Sequence, residues 1–274
     1  MIELPEAIVL GEQAKAVLTG KTITEVYTPT NKHKFAFFNG EPTTYKELLT
    51  NKKILSAKGN GIFVDIFLDD DTTISFGDGV NIRYGDASSK IPDKYQLLLT
   101  FGDNSFLVFT IGMYGAIFAY KGILDNKYHR MSVEKISPLA KEFNEAYFNN
   151  LITSEKKDIT AKALLATEQR IPGLGNGVLQ DILFKAKIHP KRKISTLTDT
   201  DKSKLFEALK NTLSEMTRLG GRDTEKDLSG NKGQYQTILS KNTYKDPCPV
   251  CGGNIVKEAY LGGTIYYCPN CQKL

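Results

Sequence analysis

CPVCGGNIVKEAYLGGTIYYCPNC, residues 248–271, holds all four cysteines of the chain. Cys248 and Cys251 form one C-x2-C pair, Cys268 and Cys271 a second, and sixteen residues lie between the pairs. Paired thiolates at this spacing suit a single tetrahedral Zn2+. Four protein ligands close the site, so the ion is expected to be structural rather than catalytic. Pro249 and Gly252 flank the first pair and Pro269 the second, and Tyr260 to Tyr267 reads as a hairpin turning at Gly262-Gly263. The competing use of four cysteines is two disulfides. A chain of 274 residues does not need such staples, and MIELPEAIVL has no cationic segment of the kind that opens a secretory leader. The expectation is a cytoplasmic protein.

Upstream of the finger the chain reads as two halves, and its length favours more than one domain. The first half opens with a helix: Pro5 stands near its first position, and Ala7, Leu10, Ala14, Val17 and Leu18 follow at helical spacing. Short β-type runs come next. Ile54 to Ser56 and Ile62 to Leu68 flank Gly59-Asn60-Gly61, and Leu97 to Phe101 and Phe106 to Thr110 flank Gly102-Asp103-Asn104-Ser105. Short strands with such turns point to a sandwich or barrel. Residues 121–137 read as a linker. Beyond them, 138–151, 160–171, 178–188 and 199–219 carry helical periodicity. No apolar run approaches the ~20 residues of a membrane span. The formal charge of +5 permits nucleic-acid binding. The segment KAKIHPKRK, residues 185–193, concentrates five cations without an acid. It reads either as a solvated helix end or as a phosphate-binding patch.

Ile171-Pro172-Gly173-Leu174-Gly175-Asn176-Gly177 lies between two helical segments. Its glycines permit close backbone approach and left-handed turns. The amides that open the next helix are therefore expected to face outward as a phosphate site, one that positions DNA without reading bases.

Residues 173–190, GLGNGVLQDILFKAKIHP, resemble the helix–two-turn–helix segment of the formamidopyrimidine-DNA glycosylase/endonuclease VIII family. The finger resembles that family's C-terminal zinc finger, and Glu3-Leu4-Pro5-Glu6 matches its E-L-P-E opening. The resemblance implies an α+β, multidomain architecture. It comprises an N-terminal β-sandwich with flanking helices (1–130), a helix–two-turn–helix domain (138–235) and a zinc-finger hairpin (240–274). It also implies base-excision activity with strand nicking on damaged or abasic double-stranded DNA, by a monomer in a bacterial-type, nucleoid-associated setting. A Schiff base at the N-terminal amine would drive elimination, after the nucleotide has been flipped from the stack.

Carried onto this chain, Ile2 stands in the nucleophile's place, Glu3 is the carboxylate at the sugar, and Lys58, at a hairpin tip, contacts phosphate. Gly173, Gly175 and Asn176 hold phosphates, with Lys185, Lys191 and Arg192 on the basic patch. Three departures stand out. Ile2 replaces the family's proline, and Met before so bulky a residue is usually retained. The reacting amine then moves out by about 3.5 Å, where a ~1 Å misplacement already costs about a hundredfold. Gly263 replaces an arginine that grips the phosphates beside the lesion. Thr110 to Tyr114, TIGMY, replaces the loop that fills the hole left by the flipped base, so Met113 or Tyr114 becomes the wedge. The polar stretch 222–234 is either a base-selecting loop or a surface connector. Glu3 and Lys58 favour an enzyme; Ile2, Gly263 and TIGMY favour a protein that binds damaged DNA without chemistry.

Overall fold

A computed structural model describes residues 1–30 and 33–274. The first helix, α1 (Leu4–Leu18), has Pro5 in its first turn, and the Glu3 amide donates to the Glu6 carboxylate at 3.2 Å. This helix serves two cores at once. Ala7, Leu10, Ala14 and Leu18 face the sandwich, while Leu4 joins the helical core and Ile8 packs against it. Two glycines allow the close approach. A Cβ at Gly11 would lie 2.3 Å from the Gly59 nitrogen, and one at Gly59 would lie 2.0 Å from the Ala7 carbonyl oxygen. A glycine in a helix costs about 1 kcal/mol relative to alanine; here it lets α1 rest directly on the backbone of a strand.

The sandwich has the expected two sheets. The four-stranded sheet runs β1 (Ile23–Tyr27), β7 (Leu97–Phe101), β8 (Phe106–Ile111), β6 (Val80–Gly85). The five-stranded sheet runs β2 (Ala36–Phe38), β9 (Gly115–Lys121), β5 (Thr72–Gly77), β4 (Phe63–Leu68), β3 (Ile54–Asn60). Among the described residues every sandwich ladder is antiparallel except β2 with β9. A short helix, α2 (Tyr45–Leu49), lies between β2 and β3, and the Tyr45 hydroxyl ties it to the sheet by donating to the Ile117 carbonyl at 3.0 Å. All six residues of the central strand β5 are buried, as suits a strand covered on both faces. Both expected hairpins form. The first turns at Gly61-Ile62, later than its glycines suggested, because β3 continues through Asn60. Lys58 is therefore not at the tip but inside β3, opposite Asp65.

The interval 121–137 is not a bare connector. It contains α3 (Lys127–Glu134), capped by the Asn126 side chain, which accepts from the Tyr128 and His129 amides. Two of the expected helices shorten for local reasons. Asn144 caps at Tyr147, so α4 spans Glu145–Thr153 rather than starting at Pro138. Thr160 caps α5 (Ala161–Ala166), which ends at an extended Thr167 instead of reaching Ile171. The next two match closely: α6 is Val178–Lys185 and α7 is Asp199–Arg218, with Thr198 and Asp201 forming a capping box. The finger hairpin is β10 (Val256–Tyr260) and β11 (Gly263–Tyr267). A small third core of Phe184, Leu239, Tyr266 and two of the cysteines seats it on α6. Among the described residues no helix is long and apolar enough to cross a membrane.

Candidate active site at the N-terminus

Two of the chain's motifs, Glu3–Glu6 and the 173–177 turn, meet on one seam. Leu4 donates its amide to the Gly173 carbonyl at 2.8 Å. The buried Glu3 carboxylate then accepts from the amides of Gly175 (3.2 Å), Gly177 (2.7 Å) and Val178 (2.8 Å). A Cβ at Gly175 would lie 2.7 Å from the Glu3 carboxyl carbon, and one at Gly177 would lie 1.5 Å from Arg222 Nη1. These glycines are therefore required by an internal carboxylate. The expectation that the opening amides of α6 are free for phosphate is corrected: Glu3 occupies them from within the fold, where the helix dipole also favours an anion.

Arg222 completes the seam from the loop after α7. Its Nε lies 3.0 Å and its Nη2 2.7 Å from the Glu6 carboxylate, and its own amide donates to the same group at 3.1 Å. Nη1 stands 3.5 Å from Glu3, and Nη2 also donates to the Met1 carbonyl at 3.2 Å. Burial by itself would raise the Glu6 carboxyl, but the Arg222 charge and hydrogen bonds hold it below its usual range. Burial likewise opposes charge on Arg222, and Glu3 and Glu6 overcome it and raise the guanidinium. A buried charge is tolerated only with partners of this kind.

A cavity of about 680 Å3 opens beside this seam, lined by Met1, Ile2, Asn81, Arg83, Glu225 and Lys226 among others. The Met1 ammonium reaches into an ion pair with Glu225 at 2.6 Å, and the Tyr114 hydroxyl donates to the Met1 sulfur at 3.0 Å. Ile2 does not present an amine here. Its nitrogen is a peptide N–H donating to the Asp78 carbonyl at 2.8 Å, and its side chain is buried in the sandwich core. Asp78 adopts a left-handed backbone with φ of 58°. Burial pushes its carboxyl up to about 6, the N-terminal ammonium opposing and Glu3 adding to the rise.

The remaining expected residues fall elsewhere. Lys58 is exposed and lines a different cleft with Leu4, Ile8 and Glu12. Asn176 turns toward the finger: its Nδ2 donates to the Thr264 carbonyl at 2.6 Å, and its buried Oδ1 has no hydrogen-bond partner among the described residues. Gly263 allows this packing, since a Cβ there would lie 3.1 Å from Asn176 Cγ. The basic patch is largely neutralised. Lys185 pairs with Glu215 at 3.1 Å, Arg192 with Asp201 at 2.7 Å, and Lys191 with Glu258 across to the finger. Met113 is 72% exposed at the cavity rim and Tyr114 36%.

The four cysteine sulfurs lie within 4.8 Å of one another, Cys248 to Cys271 at 3.8 Å and Cys251 to Cys268 at 3.5 Å. A disulfide needs about 2.05 Å, whereas tetrahedral Zn–S bonds of about 2.3 Å place sulfurs roughly 3.8 Å apart. The cluster thus has the spacing of a metal site. Gln180 fixes the hairpin to α6 by donating to the Thr264 carbonyl at 2.9 Å and accepting from the Tyr266 amide at 3.0 Å.

Sequence reasoning missed Arg222, Asp78, Glu225 and Gln180. Asp78-Gly79 between two strand-like runs reads as an ordinary turn, and a lone arginine or glutamine carries no pattern. The 222–234 stretch, open between two uses in the sequence, closes the cavity and clamps the N-terminus.

The "Formamidopyrimidine-DNA glycosylase H2TH domain" family matches residues 135–227. A formamidopyrimidine-DNA glycosylase of Cytobacillus firmus is 28% identical over 288 aligned residues, covering 99% of this chain and 100% of the relative. That of Listeria innocua is 28% identical over 282, covering 100% of both. Among solved structures, the MutM (Fpg) protein of Thermus thermophilus superposes with a TM-score of 0.81 at 22% identity, over 98% of each chain. Fpg of Lactococcus lactis, in a complex with abasic-site-containing DNA, reaches 0.83 at 21% identity, over 99% of this chain and 100% of its own. The structural matches establish a shared fold, and the full-length sequence matches agree with the three motifs: the chain is similar to formamidopyrimidine-DNA glycosylases along its whole length.

Proposed function

We propose that this protein is a base-excision DNA glycosylase with abasic-site lyase activity. Its substrate is double-stranded DNA carrying a damaged base or an abasic site, in a bacterial cytoplasm. The observation that carries this reading is the Met1 ammonium, set on the wall of a cavity large enough for a nucleotide and 2.6 Å from a carboxylate. The relatives are named as formamidopyrimidine-DNA glycosylases.

The damaged nucleotide enters the cavity from outside the duplex, and Met113 and Tyr114 at the rim fill the gap it leaves. Glu225, in contact with the ammonium, is placed to take its proton. The freed amine bonds to C1′ as the base departs with the electrons of the glycosidic bond and a proton. Ring opening gives an imine. Loss of a C2′ proton then breaks the C3′–O bond and releases the 3′ phosphate, and hydrolysis of the imine returns the amine. Met1 thus takes the role expected of Ile2. Glu3, with its oxygens filled by backbone donors, is a positioning residue that locks the N-terminus to α6. Lys58 and Asn176 contact phosphates on either side, Asn176 by releasing Thr264. Gly173 and Gly175 shape the turn, and Lys185, Lys191 and Arg192 supply a positive field near the finger. The cysteine site holds one structural Zn2+, whose chemistry is to fix the hairpin.

A second reading, a binding protein without chemistry, is favoured by the inward turn of Asn176 against Gly263. One assay separates them. Duplex DNA with a single abasic site should be nicked to the β-elimination product, and Glu225→Gln should slow this at least tenfold. Salt-sensitive binding without nicking would put the binding reading in its place.

A further inference from the structure

We propose that a second cleft, between β2 and the start of α3, receives an unpaired nucleobase: the one left without a partner when the nucleotide opposite is flipped. The inference rests on the DNA reading above. The cleft has a volume of about 550 Å3, within the range of small-ligand sites. Its two sides carry aromatic rings open to solvent, Phe37 on β2 at 52% exposure and Tyr128 on α3 at 50%. Its floor is the buried pair Phe63 and Phe118, whose rings lie 6.3 Å apart and 30° from parallel. Every base has a π-face, so exposed aromatic walls suit bases of any sequence.

Two further observations tie the cleft to DNA. Asp78 lines this cleft while its carbonyl anchors Ile2, and Tyr114 lines both cavities, so the Asp78–Tyr114 wall stands between the proposed lesion pocket and the second cleft. On the DNA reading, a duplex seated over the first cavity would bring its other strand toward this shared wall. The polar rim is also held in an unfavourable backbone form. Asp78, Glu168 and Gln169 all have left-handed φ, at 58°, 56° and 47°. Such geometry in residues bearing side chains marks functional sites when the surroundings enforce it. The surroundings do so here: the Gln169 carboxamide accepts from the Gly173 amide at 2.8 Å and donates to the Leu174 carbonyl at 3.2 Å. Glu168 pairs with Arg170 at 3.0 Å.

The chemistry of the rim selects the occupant. Among the described residues no lysine or arginine lines the cleft, and two carboxylates do, so a phosphate is repelled. A carboxylate accepts from an exocyclic amino group, so adenine or cytosine should be held better than thymine, which has none.

The test uses the full chain and a duplex with a tetrahydrofuran abasic analogue opposite 2-aminopurine. In the wild-type complex the 2-aminopurine emission should be quenched by stacking and shielded from acrylamide. In a Phe37→Ala/Tyr128→Ala variant with wild-type melting behaviour, emission should rise at least threefold and shielding should be lost, with affinity about tenfold weaker. Phe37→Tyr should restore the quench. Equal emission and shielding in wild type and variant would overturn the proposal. So would equal affinity for adenine, cytosine and thymine opposite the analogue, for the rim's part in it. Failure of the wild type to bind this duplex at all would overturn the DNA reading and this inference together, a result distinct from binding without stacking.

Discussion

The seam at the N-terminus and the rim of the cavities are neighbours in the fold and opposite in design. At the seam, Glu3, Glu6 and Arg222 are charged, buried and matched by donors and acceptors on several sides. At the rim, Met113, Phe37 and Tyr128 are apolar or aromatic and exposed. A buried charge must be satisfied inside the fold, whereas an exposed apolar group gains by being covered from outside. The contrast separates residues that hold the site together from residues that meet its ligand. It also divides the motifs differently from what their spacing suggests: Glu3 and Gly175 face inward.

The sharpest way to break the contrast is at Arg222. Its replacement by alanine leaves two buried carboxylates without their cation and should cost about 3–5 kcal/mol in urea unfolding. A loss under ~1 kcal/mol would show that the seam is not the internal anchor described.

Asp78, on the wall between the regions, should respond with the opposite sign. Its carboxyl is raised from 3.8 to about 6 by burial, so the folded state favours the protonated form. The cost of burying its charge is absent below about pH 4, grows between about pH 4 and 6, and is constant above that. Asp78→Asn should therefore stabilise the protein by about 2 kcal/mol at pH 8 and by nothing at pH 4, measured by paired melts. Equal shifts at both pH values would remove the titration from the account.

Removing the metal should act on DNA binding. Purified protein should carry one zinc per chain, and Cys268→Ser should lose it together with about tenfold in affinity for duplex DNA, while the sandwich still melts cooperatively. A metal-free wild-type protein would refute the zinc assignment. The smallest effect on stability belongs to the rim: Met113→Ala should change unfolding by less than ~0.5 kcal/mol yet weaken binding to abasic duplex several-fold. A marked loss of stability would place Met113 in the core, against its exposure.

The sandwich, the two later helices of the helical half and the finger were legible in the sequence, because each rests on short-range signals: turn glycines, capping residues, paired cysteines. The limits of α4 and α5 were not, because Asn144 and Thr160 set those boundaries through caps that compete with the apolar periodicity. The site was half legible. Glu3 and the glycines of 173–177 stand out in the sequence, but their partnership spans more than 170 residues of chain, and no local pattern announces it. Arg222 and Glu225 lie in a polar stretch whose sequence leaves a base-selecting loop and a surface connector equally open, and the fold closes it over Met1.

The account turns on the amine at the start of the chain. The most direct test is borohydride reduction of the protein with duplex DNA containing an abasic site, followed by peptide mapping of the adduct. The account predicts a covalent adduct at the α-amine of Met1, diminished in Glu225→Gln. An adduct on a lysine side chain, or none under conditions where the DNA is bound, would contradict it.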